Sequence, residues 1–297
     1  MFAALWAPAT LLAAGFQVAR NGLQRGLMPA TGPWGATLVR FLFGLPFSLV
    51  FVALAVGLGP PVHPRWTLAF ALTAATGALA QVLATASLLV AMRRAGFAVA
   101  TALQQSSLPL AALIGWVIFK DSLGPAAWAG VAVTTVGFLI ISAPGELASG
   151  PQPLTGALFG LISGLCFGFS LNAARHAVLA LDPRRPLFAA LATVAVVQAA
   201  QSLGLLIWLA WRDPAALTAI AKGWRPSLGA GLFGALASAG WFFALALAPA
   251  APVRALGMVE VPIAAVAGRS WFRERLTLRQ VLGGVAIVSG VGLTILG

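Results

Sequence analysis

Few side chains in this sequence can do chemistry, and most of those lie inside long apolar runs. Glu260 is the one acid deep in such a run. A carboxylate there can hold an ammonium group, carry a proton, or be locked to a cation. At bilayer depth a charge costs at least about 2.5–3.5 kcal/mol, so it needs a partner, protonation or water. Arg40 and Arg254 are the candidate structural partners, and the excess of arginine over acid favours that pairing slightly over a working carboxylate. Gln17, Asn21 and Gln24 follow i, i+4, i+7 spacing and share one helix face. Asn172 takes the place of Asn21 when Phe167 is laid on Phe16. Amides both donate and accept, so such a pair suits a zwitterion, and it equally suits hydrogen bonds between helices. Thr73, Gly77, Gln81 and Thr85 mark a second polar stripe. Gln104, Gln105, Ser106 and Ser107 precede Pro109, and Glu260 precedes Pro262. Trp241-Phe242-Phe243 is an aromatic group in the middle of an apolar run, for packing or for the wall of a cavity that meets an apolar group or a cation.

Catalysis has little to work with. Two histidines and one cysteine do not make an ordinary metal site, and neither a Gly-x-Ser-x-Gly nor a phosphate-loop pattern occurs. Ser163 with His176 is the only conceivable nucleophilic couple. On one helix, thirteen residues apart, they would stand roughly 20 Å from each other. The expectation is a protein that is not an enzyme and that uses no cofactor and no metal.

The elements that must hold these residues follow from composition. Sixty per cent of the residues are apolar, 8% are charged, and mean hydropathy is +0.97. Soluble domains carry roughly 25% charged residues, so this chain is solvated by lipid. A span needs about 20 apolar residues. Spans are predicted near 3–22, 33–57, 66–91, 96–119, 124–143, 154–178, 187–211, 227–247, 251–271 and 276–296, separated by short turn-rich breaks. The fold class is therefore an all-α integral membrane protein. A net charge of +12 raises the question of nucleic acid. The cations are scattered singly or in pairs, without a basic stripe or aromatic platform, and that excludes it. Arg20, Arg175, His176 and Arg269 lie toward span ends, where long side chains reach the interface. Most tryptophans, Trp34, Trp66, Trp116, Trp128 and Trp208 among them, also fall near span ends, as an interfacial belt requires.

The chain is a duplication. Phe119-Lys120-Asp121-Ser122-Leu123, Gly130 and Gly137 recur as Phe272-Arg273-Glu274-Arg275-Leu276, Gly283 and Gly290, offset by 153. Pro109 and Pro262, Gly115 and Gly268, and Ser107 and Glu260 keep the same offset. Five spans per copy is an odd number, so the second copy enters the membrane inverted. The expected organisation is a five-helix repeat over 1–150 and an inverted one over 151–297, around a central cavity. Gly156, Gly160, Gly164 and Gly168 form one small-residue stripe, a packing seam for close helix contact or sliding. Pro109 and Pro262 break matching spans and serve as candidate hinges.

Ten spans in two inverted copies, proline-containing fourth and ninth spans, a following turn with an acid (Asp121, Glu274) and leucine, a glycine-rich last span, and Arg40-Phe41 together resemble the drug/metabolite transporter superfamily. The likeness is to its ten-helix branch of bacterial metabolite exporters, and within that to exporters of amino acids, including aromatic ones. The resemblance implies a secondary transporter of the bacterial inner membrane that exports small metabolites by alternating access, with both termini cytoplasmic. In that orientation more Lys and Arg fall outside than inside, against the positive-inside rule. The expected substrate site comprises Gln17, Asn21, Gln81, Gln104, Gln105, Ser107, Asn172, Trp241 and Glu260. Partners are a small solute, lipids and, through Glu260, protons. Export of lipophilic cations or drugs is the alternative reading, with sugars or nucleotide conjugates after it and a channel as a further one.

Overall fold

The structure, a computed structural model, describes residues 5–141, 152–258 and 278–296. Among these, regular structure is helical throughout: α1 (Trp6–Leu42), α2 (Leu45–Leu58), α3 (Leu68–Ala95), α4 (Phe97–Gln104), α5 (Ser107–Val117), α6 (Pro125–Ile141), α7 (Pro153–Leu181), α8 (Pro186–Arg212), α9 (Pro214–Lys222), α10 (Trp224–Leu247), α11 (Ala250–Gly257) and α12 (Leu278–Leu296). Five stretches are long and apolar enough to cross a membrane: Trp6–Leu58, Leu68–Ala95, Leu154–Leu181, Pro186–Arg212 and Trp224–Leu247. Shorter apolar helices cover Pro125–Ile140 and Val281–Ile295. Their outer faces expose residues that a water-soluble protein hides, among them Leu68, Leu72, Leu203, Ile207, Val285 and Val288, the pattern expected of a lipid-facing surface.

α1 is two helices rather than one. Gly32 takes φ 65 and ψ 174, outside the helical region, and Pro33 follows without an N–H to donate. The amide of Gln24 donates to the carbonyl of Ala36 at 2.8 Å. In a straight helix those residues would be about 18 Å apart, so the chain doubles back at Gly32. The predicted second span begins there, and the first runs on to Thr31. A further break at Phe43-Gly44 separates α2. One helix, α9, was not expected. Asp213 caps it, its carboxylate accepting from the N–H of Ala216 at 3.2 Å, and Pro214 occupies the first turn, which is a standard helix start.

Small residues set the packing. The most extensive helix pairs are α3 with α7, α1 with α10, and α6 with α12. At the last of these, a side chain on Gly130 would strike Thr294 and the carbonyl of Gly290, and one on Gly137 would strike Ala286 and the carbonyl of Gly283. Positions therefore rise along α6 as they fall along α12, and the two helices run antiparallel with backbones touching. On α7, Gly156 lies against Ala95, Gly160 against Leu103, Gly164 against Ser106 and Ser107, and Gly168 against Ala111. The four-residue stripe is thus laid along the end of α3, the end of α4 and the first half of α5, in parallel. Glycine and alanine at such contacts let backbones approach where lipid supplies no hydrophobic drive.

The fourth predicted span is interrupted. α4 ends at Gln104 and α5 begins at Ser107, with tightened bonds Gln105 N–H to Ala102 O (2.9 Å) and Ser106 N–H to Leu103 O (3.2 Å) across the break. Pro109 stands three residues on, where it leaves the carbonyl of Gln105 without the usual helical donor. α11 spans the residues of α4 shifted by 153 and ends in the same way, with Met258 N–H on the carbonyl of Ala255 at 3.0 Å. Glu260, Pro262 and Gly268 lie outside the described residues.

Candidate functional site

Buried polar side chains concentrate between α1, α3, α5, α7, α10 and α11. A narrow cavity opens there, with about 30 Å³ for the centres of water-sized molecules, room for roughly two waters. Its lining includes Gln17, Gln81, Gln104, Ser107 and Trp241, five of the nine residues expected at the site, together with Arg40, Ser170, Ser238 and Arg254. Phe167 and Phe242 supply apolar wall.

Trp241 is held in place from two sides. Its indole N–H donates to Gln17 Oε1 at 3.1 Å, and the Arg254 guanidinium lies 5.9 Å from its ring centroid, within cation–π range. Gly257 permits this, because a side chain there would meet the Trp241 ring at 2.6 Å. Arg254 Nε donates to Ser107 Oγ at 2.7 Å, and its Nη2 to Gln105 Oε1. The broken end of α4–α5 is thereby tied to α11. Gln81 accepts from Gln201 at 2.9 Å, which links α3 to α8. Arg40 Nη1 donates to Thr85 Oγ1 at 2.8 Å, and its Nη2 stands 3.5 Å from Ser238 Oγ.

Three expected residues fall elsewhere among the described residues. Asn172 is not a lining residue: its amide donates to the carbonyls of Ala111 and Gly168, both at 2.9 Å, and fastens α7 to α5. Asn21 accepts from both Nε and Nη2 of Arg20 at 3.2 and 2.7 Å, so the two asparagines do not meet. In each case a nearby buried donor or acceptor claims the amide first. Gln105 stands behind the lining, as acceptor for Arg254. Glu260, with the hinge candidate Pro262, is outside the described residues. Sequence reasoning also misplaced Arg20. Placed at a span end, it was expected at the interface, yet it is 1% exposed and lies beside Arg40 over Gly234.

A second polar cluster closes one end of the bundle. Lys120 adopts φ 60, the left-handed turn residue after α5, where glycine is usual. The following N–H of Asp121 bonds to Gly115 O at 2.9 Å. The turn sets Asp121 Oδ1 3.2 Å from His176 Nε2 and Oδ2 4.0 Å from Arg175 Nε. His176 stacks on Phe119 at 4.7 Å, and Arg175 Nη1 reaches the carbonyls of Leu245 and Ala248 at 2.8 and 2.6 Å. Ser163 donates instead to Ala84 O at 2.8 Å, so it forms no couple with His176. Among the described residues, no group of three or more metal-ligating side chains occurs.

Residues 154–296 match the EamA-like transporter family. The chain carries an EamA domain. That family, within the drug/metabolite transporter superfamily, is one of membrane transporters of small solutes, and the apolar helices are those of a multi-pass membrane protein. A solved structure titled only "Crystal structure of protein" is similar over 99% of this chain and 98% of its own, with a TM-score of 0.68 and 17% identity. At that identity the likeness speaks for the fold of this chain alone. No curated protein matches the sequence.

Proposed function

We propose that this EamA chain is a secondary transporter that exports small metabolites, amino acids first, across the bacterial inner membrane by alternating access. Ten spans in two inverted five-helix repeats, 1–150 and 151–297, surround the site. The antiparallel glycine contact of α6 with α12 and the common bounds of α4 and α11 support that arrangement. The observation that carries the reading is the cavity itself. It is a pocket inside an apolar bundle that brings polar side chains together, lined from both halves: Gln17, Gln81, Gln104 and Ser107 from the first, Ser170, Trp241 and Arg254 from the second.

Room for about two waters admits no amino acid, so the halves must part for a solute to enter. The glycine stripe on α7 is the sliding surface, and the break above Pro109, with Pro262 in the second copy, is the hinge. Both termini are cytoplasmic. Glu260 is the candidate proton carrier if transport is coupled. A lipophilic cation is the weaker substrate reading, because Arg40 and Arg254 would repel it and no acid is found among the described lining residues.

The test is uptake of labelled amino acids by liposomes containing the purified protein, with and without a pH gradient. Saturable uptake that competes among amino acids and ignores the gradient is the expected result. Uptake of lipophilic cations alone would move the substrate to the second class. Gradient-driven uptake lost in Glu260→Gln would make the protein a proton-coupled carrier.

A further inference from the structure

Arg40 is a buried cation with little to answer it among the described residues. It is 2% exposed and lines the cavity. Among the described residues it has no carboxylate partner. Nη1 is committed to Thr85. Nε has no hydrogen-bond partner among the described residues, and Nη2 has only the 3.5 Å contact with Ser238. Nε and Nη2 together form one edge of the planar guanidinium, the edge that grips both oxygens of a carboxylate in two parallel bonds. Arg20 packs beside it over Gly234. Phe41, whose ring centroid is 4.9 Å from the guanidinium carbon, and Thr85 hold the group flat and fixed. A buried cation in lipid is tolerated where it is paired or where it faces solute.

We infer that Arg40 is the receptor for the carboxylate of the transported solute. The inference rests on the transporter reading and narrows its substrate class to carboxylic acids, zwitterionic amino acids among them. The amine of a zwitterion would lie toward the amide and hydroxyl oxygens of Gln17, Gln104 and Ser170, and its side chain toward Trp241 and Phe242. A solute without an anionic acceptor leaves the guanidinium charge unanswered.

The test uses the purified full chain and three matched probes: phenylalanine, phenethylamine, which lacks the carboxylate, and 3-phenylpropionate, which lacks the amine. Titration calorimetry should show binding of phenylalanine and phenylpropionate and none of the amine. Arg40→Gln should weaken the two acids by about 10- to 100-fold. Arg40→Lys keeps the charge and loses the two-point grip, so it should fall between. If Arg40→Gln does not fold, as its melting temperature would show, the comparison of acid with amine on the unaltered protein still decides. Amine binding as tight as acid binding, no binding of either acid, or binding indifferent to Arg40→Gln overturns the inference. Liposome transport of the same labelled probes tests the transporter reading separately. Arg40-dependent binding without transport would sink that reading and leave the receptor. Transport of phenylalanine untouched by Arg40→Gln would do the reverse.

Discussion

The contact between α6 and α12 makes a quantitative prediction. Gly130→Ala places a methyl group against the backbone N–H and hydroxyl of Thr294 and against the Gly290 carbonyl. Backbone cannot rotate away as a side chain can, so the helices must separate. Overpacking of this kind costs about 1–3 kcal/mol, and the backbone contact places this site at the top of the range. Alanine for glycine in a helix returns about 1 kcal/mol of propensity, leaving a net loss of about 2 kcal/mol. Gly290→Ala meets Thr134 and the Gly130 carbonyl in the same way, so its loss should be equal. One separation of the helices relieves both clashes, so the double variant should lose clearly less than the two singles together. Gly204→Ala is the control: nothing lies within 4 Å, and it should gain up to about 1 kcal/mol. Thermal unfolding of the four variants and the unaltered protein in one detergent measures all of this. Single losses that differ in kind, that add fully in the double variant, or that match the Gly204→Ala control would refute the close antiparallel contact.

Asn172→Ala should destabilise the protein by about 1–3 kcal/mol, because the side-chain bonds that fasten α7 to α5 are lost; ligand affinity, read by calorimetry, should hold. Lys120→Gly should stabilise by about 1 kcal/mol, since φ 60 costs a side chain about that much, whereas Lys120→Val should destabilise; chemical or thermal unfolding separates them. Asp121→Asn removes the partner of His176 and Arg175. It should lower stability by about 1 kcal/mol, and it should do so far less in a His176→Ala, Arg175→Gln background.

Much of the fold is legible in the sequence, because membrane spans announce themselves by length and apolarity alone. The 153-residue offset is equally plain in Phe119/Phe272 and Gly130/Gly283, and α4 and α11 keep it to the residue. The break above Pro109 follows from proline chemistry. The doubling back at Gly32 is visible only as a Gly-Pro pair, which turns and bends share. α9 carried a readable signal in Asp213-Pro214, a capping residue followed by proline in the first turn, but it was hidden between two strong spans. The site was harder to read. Gln17, Gln81, Gln104, Ser107 and Trp241 line the cavity because polar and aromatic residues in an apolar run turn inward. Asn172 and Asn21 satisfy the same rule by bonding a helix carbonyl and an arginine instead, and spacing does not distinguish those uses. Arg20 was the least legible. A long cation near a span end ordinarily reaches the interface, and only its burial beside Gly234 shows that it remains inside.

The claim that solute crosses through the cavity between the two halves is tested most directly by filling it. Ser170 lines the cavity, and its hydroxyl donates to the carbonyl of Gly77 at 3.1 Å. Ser170→Trp should occupy the space while leaving the rest of the lining in place. Liposomes holding the unaltered protein are predicted to take up labelled phenylalanine saturably, and those holding a folded Ser170→Trp variant to take up none. Equal uptake by both proteins would contradict a path through this cavity, and absence of uptake by the unaltered protein across the amino-acid panel would contradict the substrate.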